Sequence, residues 1–257
     1  MMSDLFKKII GVSLLSLCGI TYASEVVSYD DFRSKIFVEN ATPTPQSWKS
    51  FASIFDSYET QNNQAFCGIA SSVIILNSLG IKGESYVESW YPYLTINQHT
   101  IFTMNLLNVK SSREIEISGL TLDELGAILA TIDTITVKVV HATPELGFQR
   151  FSDELVQALS NPNSRVIVNF LREKLHQEGH GHHSPLAAYD PVSHRVLVMD
   201  VARYKTMTAA GEMHDGSGRP FWVAMEDLWS ALNTEDQVTP EAKMYRGFVV
   251  ITKKDAM

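Results

Sequence analysis

The chain has 257 residues and 45% hydrophobic content, enough to bury the core of one large domain, and nothing in its composition reads as disordered. Its formal net charge is −8, with the acidic residues scattered. No basic stripe can track a phosphate backbone, so nucleic acid is not an expected partner.

In chain order, Lys7 and Lys8 precede an apolar run from Ile9 to Ile20 and then Thr21-Tyr22-Ala23. That is the pattern of a secretory signal peptide cut after Ala23, leaving residues 24–257 as one catalytic domain. The run is too short to cross a bilayer, and no later stretch approaches about 20 apolar residues. The expected destination is export, periplasmic or secreted, with no membrane partner after cleavage. Cys18 resembles a lipoprotein acylation site only weakly, because the bulky Leu17 precedes it. Cleavage removes Cys18 and leaves Cys67 as the one thiol, so no disulfide forms within the mature chain.

An acidic, polar segment covers residues 25 to 60. Apolar positions at Ile69, Val73, Leu76 and Leu79, with Ile74 and Ile75 between them, then predict a helix buried on most sides and stopped by Gly80. Thr121 and Glu124 form a capping box for LDELGAILAT, with Leu122, Leu125, Ile128 and Leu129 inward. FSDELVQALS is a further helix. Strands follow at 165–171, 185–190, 195–204 and 247–252. Val196 to Met199 is apolar on both faces, which belongs in the middle of a covered sheet. Asp190 to His194 is a turn joining antiparallel strands, and the glycine-rich stretch 206–220 reads as a mobile loop. The fold class is α+β, a helical N-terminal half packed on an antiparallel sheet from the C-terminal half.

Cys67 opens the first long helix, where the positive end of the dipole favours a thiolate. A cysteine in such a place is otherwise a small buried hydrophobe. A nucleophile also needs a base and a group that orients the base. His182 lies just before one strand and Asp200 at the end of the next, so antiparallel pairing across the short turn can set them side by side. The alternative pairs Asp200 with Arg203 and leaves His182 in solvent. Gln61 can offer a side-chain amide to an oxyanion, alongside the backbone N–H of Cys67.

The ordered motifs Q-x-x-x-A-F-C-G-x-A-S, V-I-V-N-F-L-R, G-H-x-S-P-L-A-A-Y, M-D-V-A-R-Y-K, L-W-x-A-L-N and R-G-F-V-V resemble the phytochelatin synthase family, specifically its short bacterial members, from about Ser50 to Lys253. The plant enzymes add a cysteine-rich C-terminal domain that is not found in this sequence. The resemblance implies a papain-like fold, with Cys67 as nucleophile, His182 as general base and acid, Asp200 as orienting group and Gln61 as oxyanion donor. It implies glutathione as substrate: attack on the Cys–Gly amide, release of glycine, and a γ-glutamylcysteinyl thioester passed to a second glutathione or to water. Arg203, Asp236 and Arg246 fall where the family recognises the γ-glutamyl end, and Gly68 joins the substrate-binding set. No tightly bound cofactor and no resident metal are expected. Cadmium or zinc enters as a glutathione thiolate complex, and a homodimer is a further expectation.

Two departures stand out: His183 follows His182 where the family usually has an aromatic or aliphatic residue, and the 206–220 loop is long. Two other functions stay open, a papain-like peptidase using the same triad and a metal-binding module built on His176, His180, His182 and His183.

Overall fold

A computed structural model describes residues 25–83, 94–104, 109–207, 213–237 and 243–255. The N-terminal segment that reads as a signal peptide lies outside the described residues. Among the described residues the elements in chain order are β1 (Val27–Ser28), α1 (Arg33–Ala41), α2 (Pro45–Asp56), α3 (Cys67–Ser78), α4 (Ser112–Ser118) and α5 (Leu122–Ala130). They continue with β2 (Ile135–His141), α6 (Phe148–Ser160), β3 (Ser164–Leu171), β4 (Gly181–Asp190), β5 (Arg195–Val198), β6 (Arg203–Met207) and β7 (Met213–Ser217). The last are β8 (Phe221–Ala224), α7 (Met225–Leu232), β9 (Glu235–Gln237), β10 (Lys243–Tyr245) and β11 (Gly247–Lys253).

Seven strands form one sheet in the order β1-β8-β5-β4-β3-β11-β2, every neighbouring pair antiparallel. Side chains on a strand alternate between faces, and here both faces are apolar. Ile167, Val249 and Ile251 join the core beneath α3 and α5, and Leu197 and Trp222 join the core beneath α2 and α3. Val166, Val168, Phe170, Leu186, Val196, Val198 and Phe248 instead meet α6 and α7. The α+β class stands, but its halves are less separate than expected. Both α6 and α7 come from the later half of the chain and cover the second face, while β1, from the start of the chain, forms one edge of the sheet and β2 the other.

The capping box at Thr121 is present: its hydroxyl accepts from the Glu124 N–H at 3.2 Å, and Glu124 accepts from the Thr121 N–H at 2.8 Å. Gly80 ends α3 as predicted, at φ +66°, a conformation L side chains rarely adopt. Every residue of α3 from Cys67 to Leu76 is buried. That helix forms the spine on which the candidate site stands.

Three expectations are corrected. The segment 25–60 carries α1 and α2, the latter capped by Thr44 with Pro45 in its first turn. The strand at 195–204 is two strands, because after Val198 the backbone leaves the sheet. The carbonyls of Asp200, Val201 and Ala202 bond to Tyr58 Oη, Gln61 N and Gly218 N in place of a neighbouring strand. The 206–220 stretch is not all loop, since β6 and β7 pair as a hairpin before β8 begins.

Candidate active site

Cys67 is the first residue of α3, and its N-cap, Phe66, makes no side-chain hydrogen bond to the helix. The positive end of a 12-residue helix therefore falls on the thiol without a capping oxygen to neutralise it. The loop before it is pinned from three sides. Gln61 N donates to Val201 O at 2.8 Å, Asn62 N donates to Gln98 Oε1 at 2.8 Å, and Ala65 N donates to Asn63 Oδ1 at 2.8 Å. Gln98, itself buried, was not singled out from sequence; it also donates to Glu59 and to the Thr60 carbonyl.

β4 begins at Gly181, so His182 lies inside the strand and not ahead of it. Its cross-strand neighbour is Phe170, whose ring meets the imidazole edge-on with centroids 5.6 Å apart. His182 Nε2 is 2.9 Å from Asp200 Oδ1, and both residues are buried. The N–H is not well aligned for a hydrogen bond at that separation, so the contact is an ion pair first. With Nε2 given to Asp200, Nδ1 is the nitrogen left to face the sulfur, and the imidazole acts on the Cys67 thiol through its charge. His183 also reaches the sulfur, with Nδ1 at 3.7 Å from Sγ.

The partner of Asp200 is not Arg203. Arg172, at the end of β3 and buried, sets one guanidinium nitrogen 2.6 Å from Oδ1 and 2.7 Å from Oδ2. The Ala202 N–H donates to Oδ1 at 3.0 Å. Arg172 is the residue that sequence reasoning missed. The signal was available, because an aspartate closing an apolar strand needs a cation, and V-I-V-N-F-L-R supplies one.

Electrostatics follow from these contacts. Burial would raise the Asp200 carboxyl, but the adjacent His182 and then Arg172 hold it at about 2. Burial would also raise the Cys67 thiol, yet hydrogen bonds and charge from His182 and His183 bring it well below the usual thiol range. His182 moves the other way: burial lowers it, while Asp200 and Cys67 raise it above an ordinary imidazole. Both shifts run in the direction that favours a thiolate beside an imidazolium.

Gln61 is buried, and its amide donates one N–H to Gln64 O at 2.9 Å, leaving a second N–H. Arg246 Nη2 pairs with Asp236 Oδ1 at 2.7 Å, and Nη1 donates to Glu235 O at 2.6 Å, while the buried Nε has no partner. A Cβ on Gly181 would sit 2.7 Å from Arg246 Nη2, so this guanidinium lies against the backbone next to His182. Arg203 is not in that cluster. Its side chain is exposed and its carbonyl accepts from Gln64 Nε2 at 3.0 Å. Gly68 is buried, and its missing Cβ would meet Leu120 at 3.1 Å.

A small cavity of about 10 Å³ is lined by Asn169, Asp236, Thr121, Asp123, His141 and Tyr245. The larger cavity between α1–α2 and α6, lined by Thr42, Thr44, Val156 and Leu159, includes neither the thiol nor its imidazoles, so size does not mark the site. The four clustered histidines split: His176 and His180 are exposed, the latter 2.9 Å from Glu173, while His182 and His183 are buried. Among the described residues no three metal-ligating side chains are placed to hold an ion. No described helix is long and apolar enough to cross a membrane.

Gly218 threads past Asp200. A Cβ there would lie 2.6 Å from the Asp200 carbonyl oxygen and 2.8 Å from that of Ala202, both backbone atoms that cannot give way. Gly218→Ala is therefore expected to cost about 1–3 kcal/mol of stability. It should also lower activity by moving Asp200, which chemical denaturation and initial rates would check.

A buried thiol at a helix N-terminus, an imidazole on the adjoining strand and a carboxylate behind it define a cysteine–histidine–aspartate constellation on an antiparallel α+β scaffold. The phytochelatin synthase family profile matches residues 20–248, nearly the whole chain, and the protein belongs to that family. Its sequence is 29% identical over 221 residues to glutathione gamma-glutamylcysteinyltransferase 3 of Lotus japonicus, covering 85% of this chain and 40% of the relative. It is 26% identical to the Arabidopsis thaliana glutathione gamma-glutamylcysteinyltransferase 2, covering 94% of this chain and 48% of that one. The Schizosaccharomyces pombe glutathione gamma-glutamylcysteinyltransferase is 25% identical, covering 79% and 43%. The chain spans less than half the length of these relatives.

Proposed function

We propose that this protein is a glutathione-directed cysteine acyltransferase on a papain-like scaffold, exported from the cell that makes it. The observation that carries the reading is the thiol of Cys67 at an uncapped helix N-terminus with His182 and Asp200 in series behind it. In the proposed cycle the Cys67 thiolate attacks the Cys–Gly carbonyl. The oxyanion takes hydrogen bonds from the Cys67 backbone N–H and the second N–H of Gln61. The C–N bond then breaks as His182 gives its proton to the departing glycine amine. Neutral His182 next removes a proton from water or from the amine of a second glutathione, and that nucleophile takes the γ-glutamylcysteinyl group from sulfur. Asp200 holds the ring in place and favours its charged form. Water is the acceptor we expect to dominate, which makes the protein mainly a hydrolase of glutathione or its S-conjugates.

The deciding experiment is mass spectrometry of products from glutathione, with and without cadmium. Glycine with γ-glutamylcysteine marks hydrolysis, and cadmium-dependent (γ-Glu-Cys)₂-Gly marks transpeptidation. No product above a Cys67→Ala control would overturn the glutathione assignment.

Asp236 and Arg246 carry the charges that complement the ammonium and carboxylate of a γ-glutamyl group, and the unpartnered Arg246 Nε is a donor ready for the carboxylate. Arg246→Lys keeps the charge and loses the fork. It should raise KM for glutathione about tenfold with kcat changed only a few-fold, a pattern that steady-state kinetics resolves and that a generic peptidase would not show.

A further inference from the structure

We propose that His183 is a second catalytic imidazole, donating from Nδ1 to the Cys67 thiolate as a partner to the sulfur distinct from the His182–Asp200 pair. The proposal rests on Cys67 being the nucleophile but not on glutathione being the substrate. Three observations carry it. His183 Nδ1 is 3.7 Å from Sγ, within reach of a sulfur acceptor. His183 is 2% exposed, so the contact is shielded from competing water. Its Nε2 is buried with no partner, and its cross-strand neighbour Asn169 carries an equally orphaned carboxamide oxygen on the wall of the small cavity. These two atoms stand with Gln61 Oε1, His182 Nε2 and Arg246 Nε among the buried polar atoms without a hydrogen-bond partner, all on residues of the candidate site, and bare buried polar atoms gathered in one place belong to a working site more than to a packing role.

The division of labour is physical. His182 is tied to Asp200 and Arg172 and is raised toward the imidazolium, so it is suited to give a proton to the leaving amine. His183 has no carboxylate behind it. Its N–H remains on the sulfur while His182 cycles, which lowers the cost of the thiolate both before attack and after thioester cleavage. The groups that face this sulfur are His182 and His183 from β4, with Asp200 and Arg172 behind His182, Asn169 opposite on β3, and Arg246 lying along Gly181.

The test uses the rate of iodoacetamide alkylation against pH in a Cys18→Ser background, where Cys67 is the remaining thiol. His183→Phe keeps the ring without a donor, and His183→Gln keeps a polar group but moves it off the Nδ1 position. Either variant, whichever folds, should shift the alkylation midpoint up by about one pH unit, a tenfold lower rate at a fixed pH below it. His183→Asn, whose amide falls near Nδ1, should recover part of the shift. A folded Phe or Gln variant that titrates with the parent would overturn the proposal, whatever the protein does with glutathione.

Discussion

Replacing Cys67 with serine should remove the proposed turnover of glutathione, a loss of roughly 10³-fold or more in kcat, while leaving the fold intact. The argument is about ionisation and not about size. At this position burial opposes charge on the nucleophile, and two imidazoles overcome it for a thiol. A serine hydroxyl starts several units higher and gains nothing comparable from the same neighbours, so the attacking anion is never present at neutral pH. Serine fits the cavity left by sulfur, so the thermal midpoint should move little. Loss of iodoacetamide labelling together with an unchanged melt would confirm the assignment. Activity within tenfold of the parent would place the nucleophile elsewhere.

Replacing Arg172 with methionine should have the largest effect on stability. Asp200 is 3% exposed, and with the guanidinium gone its charge would be left with His182 and one backbone N–H. Breaking a buried pair on one side costs about 3–5 kcal/mol, because the remaining charge is uncompensated. For a domain of this size that is a fall in Tm on the order of 10 °C. A double variant, Arg172→Met with Asp200→Asn, removes both charges and should regain most of the stability while remaining poorly active, since the imidazole loses its orienting anion. Stability of the single variant within about 1 kcal/mol of the parent would show that His182 alone satisfies Asp200.

The same carboxylate makes acid stability predictable. Its folded value of about 2 lies below the ordinary 3.8, so its contribution is fully present above about pH 4 and disappears as pH falls from there toward 2. The shift corresponds to about 2 kcal/mol. Urea denaturation at pH 6 and at pH 3 should show about half of that difference, about 1 kcal/mol, in the parent and much less of it in Asp200→Asn, because pH 3 lies between the two values.

Much of the candidate site could be read before any coordinates, and the reason is local. Asp190 to His194 is a tight turn, its aspartate accepting from Val192 N and Ser193 Oγ, so the strands on either side must pair and bring His182 toward Asp200. The capping box at Thr121 and the stop at Gly80 are likewise encoded within a few residues of where they act. That Asp200 needs a cation was legible, but which cation was not, because Arg172 reaches it from the turn after β3 and no spacing along the chain reports that distance. α1 escaped notice since its apolar side chains do not form a buried stripe: Ser34 is its one buried residue, and Ile36 is exposed. β2 was hidden for a related reason. It is an edge strand whose burial alternates unevenly, and it is placed by its partner β11.

The depth of the sulfur has a practical meaning for inhibitors and for exposure to oxidants. Cys67 is 9% exposed, so a second protein's cysteine cannot readily approach it, and accidental cross-linking between copies is disfavoured even where oxidants are abundant. Electrophiles that are slim near the reactive carbon should therefore label Cys67 faster than bulky ones of equal intrinsic reactivity.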